Sequence, residues 1–284
     1  MQYLRLDEIL EDVSTFCGET IEFERLRFNG GENHIKLTSH IQEQVTIEAQ
    51  LKNSDYMMEL LLATDALRRA GATEISLLAP YIPYGRQDRV MVLGEPLSIK
   101  VFAQLINSQN YKTVYTFDNH SEVTNALLNN CVEISNHRMV KTFVYDEEGH
   151  SVRLVSPDGG SLKKVFRLAQ DCNRQVITAS KHRDVATGKI TGTEVHARDL
   201  TGSTCVIVDD ICDGGRTFVE LAKALKEKGA KKVILYVSHG IFSYGTIELC
   251  KNIDKIYTTN CFRRASELIN WNVNVIPLRK DDLR

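Results

Sequence analysis

The stretch Cys205–Phe218, CVIVDDICDGGRTF, constrains the fold of this chain more than any other. Val206–Val208 is an unbroken apolar run, the pattern of a strand buried on both faces. Two carboxylates follow, Asp209 and Asp210, and then a turn of small and polar residues from Cys212 to Thr217. A helical period starts at once, with Phe218, Leu221, Ala222 and Leu225 on one face and Gly229 as its stop. A strand that is apolar on both faces needs cover on both sides, which means helices above and below a parallel sheet.

Each part of the stretch suits one physical task. Gly214 and Gly215 let backbone N–H groups approach and point at an anion. The helix start adds its positive dipole end, and Thr217 adds a hydroxyl. Asp209 and Asp210 stand at the carboxyl end of the strand, where open α/β sheets bind ligands. Carboxylates repel phosphate, so their partners are sugar hydroxyls. The combination reads as a ribose-phosphate site.

The rest of the chain repeats the alternation. Asn29-Gly30-Gly31 marks a turn among short alternating spans in residues 1–52. Residues 55–70 predict a helix, capped by Asn53 or Ser54 and ended by Gly71. Strands are expected at Glu74–Pro80, Thr113–Phe117 and Cys131–Ser135, with helices at 97–107 and near 121–129. Further on, strands are expected at Val152–Val155, Gln175–Thr178, Lys232–Val237, Lys255–Tyr257 and Val273–Pro277. Helices are expected from Ser161 to Ala169 and at 245–251, and a polar, hairpin-like loop at Thr187-Gly188-Lys189. Two such successions predict two doubly wound parallel-sheet domains, residues 1–140 and 141–284, divided within the polar stretch Ser135–Lys141.

Composition sets the limits. The 284 residues are enough for two ordinary domains, and 43% hydrophobic with 25% charged residues is a globular balance. A net charge of −2 gives no general affinity for nucleic acid, so phosphate binding must be local. No apolar run approaches membrane-spanning length, and the charged start MQYLRLDEIL has no signal-peptide core. The seven cysteines are scattered without a CxxC, the pattern of reduced thiols in a cytoplasmic protein.

Val208-Asp209-Asp210 with Asp213-Gly214-Gly215-Arg216-Thr217 is similar to the loop that binds phosphoribosyl diphosphate (PRPP) in type I phosphoribosyltransferases and in ribose-phosphate diphosphokinases, the PRPP synthetases. The other motifs resemble the second family, in its order and over nearly the whole chain. They are Phe28-Asn29-Gly30-Gly31-Glu32, the Asn53–Leu62 helix, Tyr81–Arg89, Gly94–Ser98, Asp118-x-His120, Ser156–Gly160, Lys181-x-Arg183, Ser238–Gly240 and Thr259-Asn260. A plain phosphoribosyltransferase would leave the first half unexplained.

The resemblance implies a Mg2+-dependent transferase that moves the β,γ-diphosphate of ATP to the 1-hydroxyl of a ribose 5-phosphate group and releases AMP. It implies ATP contacts at Phe28, Glu32, Arg86, Gln87, Asp88 and His120, with Phe28 and Glu32 reaching from a neighbouring subunit of a dimer or hexamer. His120 and Asp158 match the metal-site positions, and a hard cation favours the Asp158 oxygens and retained water. Lys181 and Arg183 match the mobile catalytic loop that stabilises the transferred diphosphate. Asp209, Asp210, Asp213, Gly214, Gly215, Arg216 and Thr217 match the ribose-phosphate positions.

The chain departs from the family at informative places. Gly214 replaces a threonine hydroxyl that usually meets the 5-phosphate, and Arg216 stands where glycine is usual. A guanidinium there can clamp a phosphate bidentately or stack on a base. The change either compensates for the lost hydroxyl or opens the pocket to a larger acceptor, ADP-ribose, used by phage relatives in NAD rebuilding. Gly30, Gly94 and His182 are further departures, and a non-catalytic regulatory homologue is the reading from another class.

Overall fold

The computed structural model describes residues 2–7, 19–146, 152–183, 190–268 and 271–279. The chain divides into two compact units, Met1–Ser135 with Pro277–Arg284, and Asn136–Ile276. Both are α/β.

In the first unit, β1 (Gln2–Arg5) and β2 (Glu19–Thr20) precede a two-stranded antiparallel ribbon, β3 (Phe23–Arg27) and β4 (Asn33–Leu37). Then come β5 (Gln44–Glu48), α1 (Ser54–Arg69), β6 (Glu74–Leu78), α2 (Ser98–Asn107), β7 (Val114–Phe117), α3 (Glu122–Leu127) and β8 (Cys131–Ile134). Six strands form one parallel sheet in the order β2-β1-β5-β6-β7-β8.

Local chemistry sets the boundaries. The Asn53 side chain accepts from the amides of Asp55 (2.9 Å) and Tyr56 (3.4 Å) and so caps α1. Met57, Leu60, Ala63, Thr64 and Leu67 bury one face of that helix, and Gly71, at φ 107°, turns the chain away. The Asn29–Gly31 turn closes the β3–β4 ribbon, with Phe28 N–H donating to the Glu32 carbonyl at 2.9 Å.

The second unit contains α4 (His137–Asp146), β9 (Val152–Ser156), α5 (Leu162–Cys172), β10 (Gln175–Arg183), β11 (Ile190–Val195), β12 (Thr204–Cys212) and α6 (Arg216–Glu227). It continues with β13 (Lys232–Gly240), α7 (Ile247–Asn252), β14 (Lys255–Thr259), α8 (Ala265–Leu268) and β15 (Asn274–Ile276). The sheet order is β11-β10-β9-β12-β13-β14-β15, parallel except for the β10–β11 pair.

The strand at the heart of the sequence reading is central and covered on both faces. Cys205 and Ile207 join one core with Phe218, Leu221 and Leu225 of α6. Val206 and Val208 join the opposite core with Val140 and Phe143 of α4 and with Val165 and Leu168 of α5. This period-two division between cores is what a doubly wound sheet requires. Each such fully buried side chain is worth about 1.5–3 kcal/mol.

The division between units falls at Ser135–Asn136, within the polar stretch Ser135–Lys141, and His137 already begins α4, a helix the sequence reading did not expect. That helix was hidden behind its polar start. Met139, Val140, Phe143 and Val144 form its buried stripe, and the Phe143 ring stacks on Tyr236 (5.5 Å) and Tyr257 (4.9 Å). The segment carrying Lys181 and Arg183 is strand, not loop. β10 runs beside β9 as far as Thr178 and then continues as an antiparallel ribbon with β11. The expected loop at Thr187–Lys189 lies outside the described residues.

Candidate ribose-phosphate site

The chain crosses the second sheet in a way that selects one crevice. From β9 it steps outward to β10 and β11, then returns to place β12 on the other side of β9. Between β9 and β12 the direction of winding reverses, and ligands of open α/β sheets bind beyond the carboxyl ends of the strands at such a point. The two strand ends that meet there carry Ser156–Gly160 and Asp209–Gly215.

The β9 end is held by its own polar groups. The Ser156 hydroxyl donates to the Asp158 carbonyl at 2.8 Å and contacts the Ser161 hydroxyl at 2.8 Å. Asp158 Oδ1 accepts from the amides of Gly160 (3.0 Å) and Ser161 (3.3 Å). A built Cβ on Gly160 would lie 3.3 Å from that carboxylate oxygen, so the turn closes tightly around Asp158.

At the β12 end, Asp210 is buried and Asp209 half-buried. Asp209 accepts from the Asp210 amide at 3.1 Å. Its carboxyl is pushed well above the usual carboxylate range, first by burial, then by the charge of Asp210 and contact with its carboxyl, then by Asp158. Asp158, Asp209 and Asp210 thus share one crevice, and the charge of the other two raises the Asp209 carboxyl. Carboxyl groups gathered in this way suit sugar hydroxyl donors. Burial, with Asp209 and Asp213 nearby, also pushes the Cys212 thiol up, so that buried side chain fills space without acting as a nucleophile.

The turn that follows leads directly into a helix start, a geometry that suits an anion. Gly215 caps α6 at φ 77°, a left-handed conformation suited to glycine, and a Cβ there would meet the Leu249 side chain at 3.1 Å. The carbonyl of Gly215 accepts from the amides of Phe218 and Val219, and the amides of Arg216 and Thr217 begin the helix with no intrahelical acceptor. Thr217 lies inside the first helical turn, and both Gly214 and Arg216 are exposed.

Loop 241–245 is fastened to this turn. The Cys212 carbonyl accepts from the amides of Ile241 (2.9 Å) and Phe242 (3.0 Å), and the Asp213 carbonyl from Ser243 at 3.2 Å. The Ser243 hydroxyl also donates to the Asp213 carboxylate. Phe242 is fully buried, tucked against Gly240, where a Cβ would come within 2.3 Å of its ring.

In the first unit, the loop after β6 and the end of β7 are joined through Asp88. That carboxylate accepts from Arg89 Nε at 2.9 Å, and Arg89 holds it below its ordinary range, with Ser121 and then His120 adding to the effect. Arg86, Gln87 and His120 are exposed around it. Asn119, which sequence reasoning passed over, anchors the turn to His120. Its amide donates to Glu133 Oε1 at 2.8 Å, and its side chain donates to Thr116 Oγ1 (2.7 Å) and Asn125 Oδ1 (2.5 Å).

Phe28 and Glu32 stand exposed at the tip of the β3–β4 ribbon. Among the described residues, no hydrogen bond, ion pair or ring contact joins them to the Arg86–Asp88 loop. Lys181 and Arg183 lie in register with Thr193 and Ile190 of β11, with an irregularity between His182 and Arg183.

Fold and crevice together define an α/β protein of the phosphoribosyltransferase type, preceded by a second α/β unit. The comparisons narrow this further. Residues 7–109 match the N-terminal domain of ribose phosphate pyrophosphokinase, and residues 132–279 match the phosphoribosyl transferase domain. A ribose-phosphate pyrophosphokinase of Thermococcus kodakarensis is 31% identical over 84% of this chain and 85% of its own length. One of Thermosipho africanus is 32% identical over 91% of this chain and 84% of its own. The chain belongs to the ribose-phosphate pyrophosphokinase family. The crystal structure of phosphoribosylpyrophosphate synthetase from Mycobacterium smegmatis shares the fold, with a TM-score of 0.84 at 20% identity, over 97% of this chain and 94% of that one.

Proposed function

We propose that the protein is a Mg2+-dependent ribose-phosphate diphosphokinase. It transfers the β,γ-diphosphate of ATP to the 1-hydroxyl of a ribose 5-phosphate group. The observation that carries this reading is the convergence of Asp158, Asp209 and Asp210 on a glycine cradle at the β9–β12 reversal. A sugar fits the carboxylates, and a phosphate fits the amides of α6.

In the transfer, the 1-oxygen bonds to the β-phosphorus, and the bond from that phosphorus to the α–β bridging oxygen breaks. AMP leaves, and the hydroxyl proton passes to solvent. Little covalent chemistry is asked of the protein, and positioning and charge neutralisation dominate. Asp209 and Asp210 hold the 2- and 3-hydroxyls, and Asp213 to Thr217 hold the 5-phosphate. Lys181 and Arg183 stabilise charge on the diphosphate and its bridging oxygen. Arg86, Gln87 and Asp88 orient ATP, and Phe28 and Glu32 contact the adenine of a neighbouring subunit in a dimer or hexamer.

The acidic oxygens fit a hard cation. Among the described residues, no group of three or more His, Cys, Asp or Glu side chains is placed to hold a metal ion by itself. Mg2+ would rest on Asp158 with water and substrate phosphates as its remaining ligands, and His120 would act on phosphate or water. When bound, the ion supplies neutralisation of the triphosphate charge.

A second acceptor, ADP-ribose, is favoured by one observation. Gly214 removes a hydroxyl from the cradle, while the exposed Arg216 adds a cation beside it. The test of the catalytic reading is AMP release from ATP in the presence of either acceptor, in the wild type and in Lys181→Ala. Loss of at least about a hundredfold in kcat is expected. Unchanged transfer would remove Lys181 from the mechanism, and absence of AMP from the wild type would favour a regulatory homologue. Consumption of PRPP that depends on a free base would favour a phosphoribosyltransferase.

A further inference from the structure

Tyr244 is a large aromatic side chain with nothing folded over it. It is 88% exposed, beside the glycine cradle, on a loop that is otherwise firmly held. Its position is fixed by its neighbours. Phe242 on one side is buried, Ser243 is bonded to Asp213 through backbone and side chain, and Gly245 N–H donates to the Phe242 carbonyl at 2.9 Å. The loop backbone is held, so stacking on the ring would have to order one side chain and not a loop.

The ring lies against Gly214. A Cβ built on Gly214 would stand 3.2 Å from Tyr244 Cε2 and 3.3 Å from Cδ2. A threonine at position 214 would therefore drive its branch into the ring. A side chain at position 214 and the edge of the Tyr244 ring would compete for the same space. The cation of the cradle points the same way. Arg216 opens α6, is exposed, and makes no hydrogen bond or ion pair among the described residues. A cation at the positive end of a helix dipole is unfavourable without an anion beside it.

We infer that Tyr244, seated on Gly214 and accompanied by Arg216, is a specificity-determining shelf for acceptors in which the ribose 5-phosphate continues through a second phosphate into a planar base. Arg216 meets the second phosphate, and the base stacks on the Tyr244 ring. This deepens the proposed function and rests on its assignment of the cradle to the 5-phosphate.

The experiment is calorimetric titration of the full chain with ADP-ribose and, separately, ribose 5-phosphate, for the wild type, Tyr244→Ala and Tyr244→Phe. AMP release is followed in parallel. Stacking of one base on an aromatic side chain predicts that Tyr244→Ala weakens ADP-ribose by about tenfold or more. The ratio of its Kd to that of ribose 5-phosphate should rise by the same factor, and Tyr244→Phe should keep the wild-type ratio. The coupled pair Gly214→Thr with Tyr244→Ala should bind ribose 5-phosphate more tightly than Gly214→Thr alone, because the clash is gone. An unchanged Kd ratio in Tyr244→Ala overturns the inference, as does a loss in Tyr244→Phe equal to that in Tyr244→Ala. Failure of the underlying reading looks different: neither acceptor yields AMP from the wild type, whatever the binding ratios.

Discussion

Glu48 offers a quantitative test of the first unit. It ends β5, directly opposite Arg5 of β1, and is 0% exposed. The Arg5 guanidinium lies 3.7 Å away, yet burial outweighs it and raises the carboxyl from 4.5 to about 7. The folded state therefore holds a proton that the unfolded chain releases near pH 4.5. The stability this provides is complete below that pH, declines as pH rises, and is lost once pH passes about 7. Moving a carboxyl over that interval makes about 3 kcal/mol of stability pH-dependent. Glu48→Gln keeps the shape and removes the titration. Urea unfolding of both proteins, following the transition of the first unit, should give similar midpoints near pH 5 and a variant more stable by about 2–3 kcal/mol near pH 8. Parallel pH profiles would refute the reasoning, since Glu48 would then be ionised throughout and held by Arg5.

Two further substitutions probe the local geometry. Asn53→Ala removes the α1 cap and should cost about 1 kcal/mol, read as a lower melting temperature of the first unit. Gly215→Ala places a Cβ 3.1 Å from Leu249 at a backbone φ of 77°, so it should destabilise the second unit by about 1–3 kcal/mol and weaken acceptor binding, both measurable by urea titration and calorimetry.

What the sequence made legible was the alternation of strands and helices and the chemistry at strand ends. Val206–Val208 could be read because a strand buried on both faces admits no polar residue, and the turn at Gly214-Gly215 because small residues punctuate the step from strand to helix. The strand order was not legible, since it depends on where β9 and β12 pair across the outward excursion of β10 and β11. α4 was missed because His137 and Arg138 suggested a linker, while its buried stripe is satisfied by Tyr236 and Tyr257 from distant strands. Tyr244 was passed over for a similar reason. Its contact with Gly214 depends on the fastening of loop 241–245 to Cys212 and Asp213, which the linear pattern did not reveal. The Ser238–Gly240 motif just upstream was the available pointer.

The central claim concerns which bond is made, and product identification tests it most directly. The protein would be incubated with Mg2+ and ATP labelled at the β-phosphate, with ribose 5-phosphate and with ADP-ribose in separate reactions, and the products resolved by mass spectrometry. The account predicts unlabelled AMP together with an acceptor heavier by a whole diphosphate carrying the label at its 1-oxygen. Transfer of the terminal phosphate alone, with ADP as the second product, would contradict it.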